Sequence, residues 1–134
     1  MVTVPSERDS PLILLVDDHD DGREMYALYL SLRGFRVMTA ASGADAIGAV
    51  QAEVPALIVM DIGMEGMSGT ETLHYLRNHH LCDGVPVIAL SGYATDDGRD
   101  RALADGFTAL ILKPCLPDQL VAFIRSTLSA SAPV

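Results

Sequence analysis

The run Leu57-Ile58-Val59-Met60-Asp61 constrains the fold of this chain more than any other stretch. Four consecutive apolar residues at strand length, followed by a turn-prone segment, describe a strand covered on both faces. Gly63, Gly66 and Gly69 follow at once, so Asp61 falls at the carboxyl end of that strand. In an open parallel α/β sheet this edge carries the ligand crevice, because the loops leaving the strands open there. Other apolar runs end in the same manner. Residues 12–16 run into Asp17 and Asp18, residues 85–90 into Ser91, and residues 107–112 into Lys113.

Between these runs the spacing predicts helices. Asp20, Asp21 and Gly22 open a segment whose apolar positions Met25, Leu28, Tyr29 and Leu32 recur at helical spacing, and Gly34 closes it as a C-cap. Phe35, Val37 and Thr39 alternate with Arg36 and Met38 as a shorter second strand. Ser42 is placed to N-cap an Ala-rich helix reaching about Ala52, and Pro55 stops its extension. The helix after Asp61 runs through Thr70, Leu73, Leu76 and Arg77, with His79 and His80 at its end. Pro86 stands near the start of the fourth strand, where a missing donor is tolerated. A helix over residues 95–104, with Asp96 and Asp97 in its first turn and Gly106 after it, is weakly amphipathic and is expected to be the least rigid. Leu120, Phe123, Ile124 and Leu128 give the last helix its apolar stripe. Residues 1–11 and 129–134 read as flexible tails around one domain over residues 12–128. Five strands alternating with five helices through short turns give a parallel sheet with helices on both faces. Spacing alone leaves the strand order open.

A chain of 134 residues suits a single domain, burying roughly two thirds of the surface its unfolded form exposes. Because 49% of it is hydrophobic but only 5% aromatic, the core must be aliphatic. The net charge of -9 and a pI near 4.6 argue against a surface built to neutralise nucleic-acid phosphates and leave a protein partner open. Cys82 and Cys115 are too few for a disulfide framework and lack metal-ligand spacing. The first ten residues, with Glu7, Arg8 and Asp9, form neither a signal peptide nor an anchor, and no segment reaches the roughly 18 apolar residues of a membrane span. A cytoplasmic protein without membrane insertion is expected.

Three carboxylates at one sheet edge, Asp17, Asp18 and Asp61, repel one another unless a cation sits among them. Hard oxygen donors suit Mg²⁺. A phosphoryl group arriving on Asp61 spreads charge over three oxygens, which Mg²⁺, the Lys113 ammonium and the Ser91 hydroxyl would stabilise. His19 lies beside the acids but reads as a rim residue, since Mg²⁺ rarely takes imidazole. His74, His79 and His80 read as a solvated helix face and its end. Cys115 reads as a small buried thiol and Tyr93 as a rim side chain tuning water access.

The stretches LILLVDDHDD, LIVMDIGMEGMSG, VIALSG and LILKP, in this order and spacing, resemble the receiver domain of bacterial two-component response regulators, from Leu12 to Leu128. The resemblance implies a flavodoxin-like (βα)5 three-layer sandwich whose central parallel five-stranded sheet has the order 2-1-3-4-5. It implies Asp61 as phospho-acceptor, Asp18 as a direct Mg²⁺ ligand, Asp17 as a ligand through water, and the Gly63 carbonyl as a further ligand. Ser91 and Lys113 would bind the phosphoryl oxygens, and Lys113-Pro114 would be a cis peptide. The implied partners are a histidine kinase or histidine phosphotransfer protein and a downstream target protein, with no direct nucleic-acid contact. Such a protein is a signalling switch that catalyses only its own phosphorylation and dephosphorylation. Leu110 departs from the family, which places an aromatic ring three residues before the Lys; Glu65 replaces a usual Pro and Gly92 a common Ala.

A rival from another class is a small phosphatase of the haloacid dehalogenase type, built on the DxD of Asp18 and Asp20. It leaves Asp61 unexplained and usually needs a longer chain with a cap. The same residues also fit the receiver piece of a larger regulator or hybrid kinase, or a degenerate receiver used only for docking.

Overall fold

Strand residues alternate between two faces, and each face of this sheet has its own helices. The computed structural model describes residues 10–92 and 95–131. Its elements are β1 (Leu12–Val16), α1 (Asp20–Leu32), β2 (Arg36–Ala40), α2 (Gly43–Ala52), β3 (Leu57–Asp61), α3 (Gly69–Asn78), β4 (Val87–Ser91), α4 (Asp96–Asp105), β5 (Ala109–Leu112) and α5 (Pro117–Ser131). All strand pairs are parallel, in the order β2-β1-β3-β4-β5, as the resemblance implied. The three-layer flavodoxin-like sandwich is therefore present. Tyr93 and most of the N-terminal tail lie outside the described residues.

Leu14, Val16, Ile58, Met60, Val87 and Ala89 face Ala46 and Val50 of α2, Leu73 and Leu76 of α3, and Ala102 of α4. Ile13, Leu15, Leu57, Val59, Ile88 and Leu90 face Tyr26 and Leu30 of α1 and Leu120, Val121 and Ile124 of α5. Every residue of β1 and β3 is buried, which explains their unbroken apolar runs. At roughly 1.5–3 kcal/mol for each fully buried aliphatic side chain, these two strands are the main anchors of the domain.

Helix ends follow local chemistry. Ser42, Ser68 and Thr95 each accept a backbone N–H from their own first turn, and Ser68 with Glu71 completes a reciprocal capping box. Gly34 (φ 93°) and Gly106 (φ 110°) take left-handed backbone after α1 and α4, where Phe35 N–H returns to Leu30 O and Phe107 N–H to Ala102 O.

Four boundaries or faces differ from the sequence-based expectation. Met25, Leu28 and Leu32 are exposed, and α1 instead buries Tyr26 and Leu30; nearly every position from 25 to 32 is apolar, so periodicity could not single out one face. β4 begins at Val87, because the ladder opens with Ile58 N–H donating to Pro86 O and Pro86 has no N–H of its own. β5 begins at Ala109, because Phe107 is committed to closing α4. α5 continues to Ser131, through three residues expected to be tail, and its stripe uses Val121 while Phe123 is 40% exposed. Among the described residues no helix is long and apolar enough to cross a membrane.

Candidate functional site

Strand alternation explains why three charged residues meet. Asp17 follows β1 in the row of Ile13 and Leu15, and Asp61 ends β3 in the row of Leu57 and Val59. Lys113 follows β5 two residues after Ile111. All three rows face α1 and α5. The parallel register then brings their ends to one edge of the sheet.

Asp17 and Asp61 are 1% and 4% exposed, the two buried carboxylates among the described residues. Lys113 Nζ donates to Asp61 Oδ2 at 3.1 Å and to Asp17 Oδ2 at 3.5 Å. Burial pulls this ammonium down, but the hydrogen bond and charge of Asp61, with Asp17 behind them, outweigh it and hold Lys113 above its ordinary pKa. Gly63 N–H donates to Asp61 Oδ1 at 2.9 Å, so the loop after β3 bends back over the carboxylate. His19 N–H donates to Asp17 Oδ1 at 2.9 Å and Glu65 N–H to Asp18 Oδ2 at 3.2 Å. The Lys113-Pro114 peptide is cis.

Asp18 Oδ1 is buried and receives no hydrogen bond. A buried carboxylate oxygen without a hydrogen bond is costly unless a positive charge faces it. His19 Nδ1 stands 3.1 Å away, and Asp17, Asp18, Asp61 and His19 each offer one ligand atom, all within 4.8 Å of one another. Three carboxylates and one partly buried ammonium leave the edge with surplus negative charge. The donor set therefore fits a hard divalent cation.

Ser91 ends β4 one residue beyond Leu90, the partner of Asp61, and its carbonyl accepts Lys113 N–H at 2.7 Å. The strand ends thus bring Asp17, Asp18, Asp61, Gly63, Ser91 and Lys113 to one edge. Asp20 does not join them: it is 76% exposed at the start of α1 and pairs with Arg23 at 2.7 Å. The DxD reading fails on that geometry.

Two supporting residues were missed in the sequence. Arg23 donates to Asp17 O at 2.8 Å, and the Tyr26 hydroxyl donates to Cys115 O, tying α1 to the turn after Lys113. Arg23 carried a signal, since it is the lone cation in a segment of five acidic residues. Burial raises the pKa of both Cys115 and Cys82, which favours the neutral thiol over the nucleophilic thiolate. His74 is half exposed and faces Asp105, His79 stacks on Tyr75, and His80 meets Asp83, all away from the acids. His19 is 73% exposed, as expected of the rim, yet its Nδ1 turns inward to 3.2 Å from Asp17 and 3.1 Å from Asp18.

The model of the response regulator receiver domain family matches residues 13–125. The uncharacterized 14.6 kDa protein in the sodA1 3' region of Leptolyngbya boryana is 32% identical over 90% of this chain and 92% of its own. The phosphate regulon transcriptional regulatory protein PhoB of Pseudomonas aeruginosa is 31% identical over 90% of this chain, which spans only 53% of PhoB. A CheY-like receiver domain protein from Methanospirillum hungatei superposes with a TM-score of 0.83 at 29% identity, covering 92% of this chain and 97% of its own. The chain belongs to the response regulator receiver domain family and is a phosphorylation-based signalling switch. The phosphatase alternative is set aside.

Proposed function

We propose that Asp61 is the phospho-acceptor. The observation that carries this is its burial at the end of β3 with the Lys113 ammonium 3.1 Å from one oxygen and the Gly63 N–H 2.9 Å from the other. A carboxylate oxygen of Asp61 attacks the phosphorus of a phosphohistidine on a kinase or phosphotransfer protein. The new O–P bond forms as the P–N bond breaks, and the imidazole leaves with a proton from solvent. Lys113 orients the carboxylate beforehand and meets the negative oxygens afterwards. Ser91, at the neighbouring strand end, offers its hydroxyl to the same oxygens.

Asp17, Asp18, Asp61 and the Gly63 carbonyl would hold Mg²⁺, which when bound neutralises both the carboxylates and the incoming phosphoryl charge. The buried, unbonded Asp18 Oδ1 supports this assignment. In this reading the protein acts as a switch that carries the phosphoryl group on its own Asp61, held between the Lys113 ammonium and the Gly63 N–H. Its output is contact with a target protein. A partner that forms phosphohistidine from ATP would meet this protein in the cytoplasm, and that location is part of the same reading.

Incubation with acetyl phosphate and Mg²⁺ tests this reading, with p-nitrophenyl phosphate in parallel. One phosphoryl group per chain, lost to hydroxylamine, is the expected result. Sustained hydrolysis of p-nitrophenyl phosphate without a stable adduct would refute it.

A further inference from the structure

The N-caps Ser42, Ser68 and Thr95 use their hydroxyls inside their own helices, but the N-cap of α1, His19, makes no side-chain cap bond. Its backbone N–H is pinned to Asp17 Oδ1 at 2.9 Å, and that anchor aims the ring into the acids. Nδ1 stands 3.1 Å from Asp18 Oδ1, 3.2 Å from Asp17 Oδ1 and 3.9 Å from Asp61 Oδ2. Donors on one octahedral ion with bonds of about 2.1 Å lie about 3.0 Å apart when adjacent and about 4.2 Å apart when opposite. The separations of 3.1 and 3.2 Å match adjacent donors, and that of 3.9 Å lies nearer the opposite one. The closest neighbour is the buried oxygen of Asp18 that receives no hydrogen bond.

We infer that His19 is a nitrogen ligand of the cation site and determines its metal preference, so that the site holds Mn²⁺, Co²⁺ or Zn²⁺ through the imidazole in addition to Mg²⁺ through oxygen. The inference rests on the metal site proposed above and adds a donor to it. Imidazole suits first-row transition ions, whose affinity for a mixed N/O site rises from Mn²⁺ through Co²⁺, whereas Mg²⁺ gains little from it. Most of the ring lies in solvent, so Nδ1 can bind a metal with only small motion of the remaining atoms. Loss of His19 therefore selects against the softer ions alone.

The test is titration of Mg²⁺ and of Co²⁺ into the intact protein, His19→Ala and Asp18→Ala, with Co²⁺ followed by its visible absorption. Zn²⁺ is added separately to ¹⁵N-histidine-labelled protein. His19→Ala is expected to weaken Co²⁺ at least tenfold, as even loss of a supporting group around a ligand costs roughly 10–100-fold, while Mg²⁺ affinity changes less than about twofold. The His19 Nδ1 resonance is expected to shift on Zn²⁺ addition. Equal Co²⁺ affinity in both proteins with an unmoved Nδ1 resonance would overturn the inference while leaving the Mg²⁺ site standing. Failure of the unaltered protein to bind either ion, or Asp18→Ala binding Mg²⁺ as well as it does, would overturn the site itself.

Discussion

The Lys113 ammonium donates to Asp61 Oδ2 at 3.1 Å across 52 residues of sequence, and Lys113 is the only lysine in the chain. No other amine can replace it, so the charge balance of the edge depends on one side chain. Lys113→Met leaves Asp17 and Asp61 buried without their cation. Because Lys113 is 25% exposed, water and ions offset part of that cost. The expected loss in urea denaturation is about 1–3 kcal/mol, partly restored by Mg²⁺. No change in stability would show that the pair is incidental.

Lys113 also sets a pH signature. Its folded pKa lies above the unfolded value of 10.5, so its contribution is complete below that pH and is lost as pH rises through the folded value. The unaltered protein is expected to lose stability more steeply above pH 10.5 than Lys113→Met does. Cys82 and Cys115 titrate in both proteins, and Tyr26, whose hydroxyl the Lys113 charge pulls down, is followed by its ultraviolet absorbance so that its part of the difference is separated. Parallel curves would contradict the pairing.

Metal binding to the folded state alone stabilises it by mass action. At ten times its dissociation constant, which for this carboxylate set is expected in the millimolar range, Mg²⁺ adds about 1.4 kcal/mol. Thermal unfolding should shift upward with Mg²⁺ in the unaltered protein and not in Asp18→Ala. An equal shift in both would move the ion elsewhere.

The strands at the centre of the sheet were legible because burial on both faces writes an unbroken apolar run: β1 and β3 have the bounds expected of them. The acidic edge was legible for the same reason, since a carboxylate ending such a run stands out. α1 was not, because Met25, Leu28 and Leu32 compete with Tyr26 and Leu30 for one buried stripe and only packing against α5 decides. The orientation of His19 was also hidden. It depends on a backbone bond to Asp17 that composition does not reveal.

Glycine positions separate packing from flexibility. A Cβ on Gly69 would stand 2.6 Å from Asp61 O and 2.9 Å from Ile62 Cα, both backbone, whereas one on Gly48 would meet nothing within 4 Å. Gly69→Ala is therefore expected to cost about 1–3 kcal/mol and to displace the loop over Asp61. Gly48→Ala, in the exposed middle of α2, should stabilise by about 0.5–1 kcal/mol. Denaturation curves for the two variants check both signs.

Leu110 is 8% exposed and packs in the cluster with Phe107 and Ala102, while α4 buries only Ala102. A packed Leu has no polar tip to alternate between interior and water. Switching is therefore expected to reorganise the 91–104 segment while Leu110 stays in place. Amide shifts with and without a beryllofluoride mimic check this, and changes confined to β5 and α5 would contradict it.

Intact-mass measurement of the unaltered protein and Asp61→Asn after treatment with acetyl phosphate and Mg²⁺ tests the assignment of Asp61 most directly. One phosphoryl mass is expected on the unaltered protein and none on Asp61→Asn, with both folded by circular dichroism. A phosphoryl mass on folded Asp61→Asn, or none on the unaltered protein, would contradict Asp61 as the acceptor.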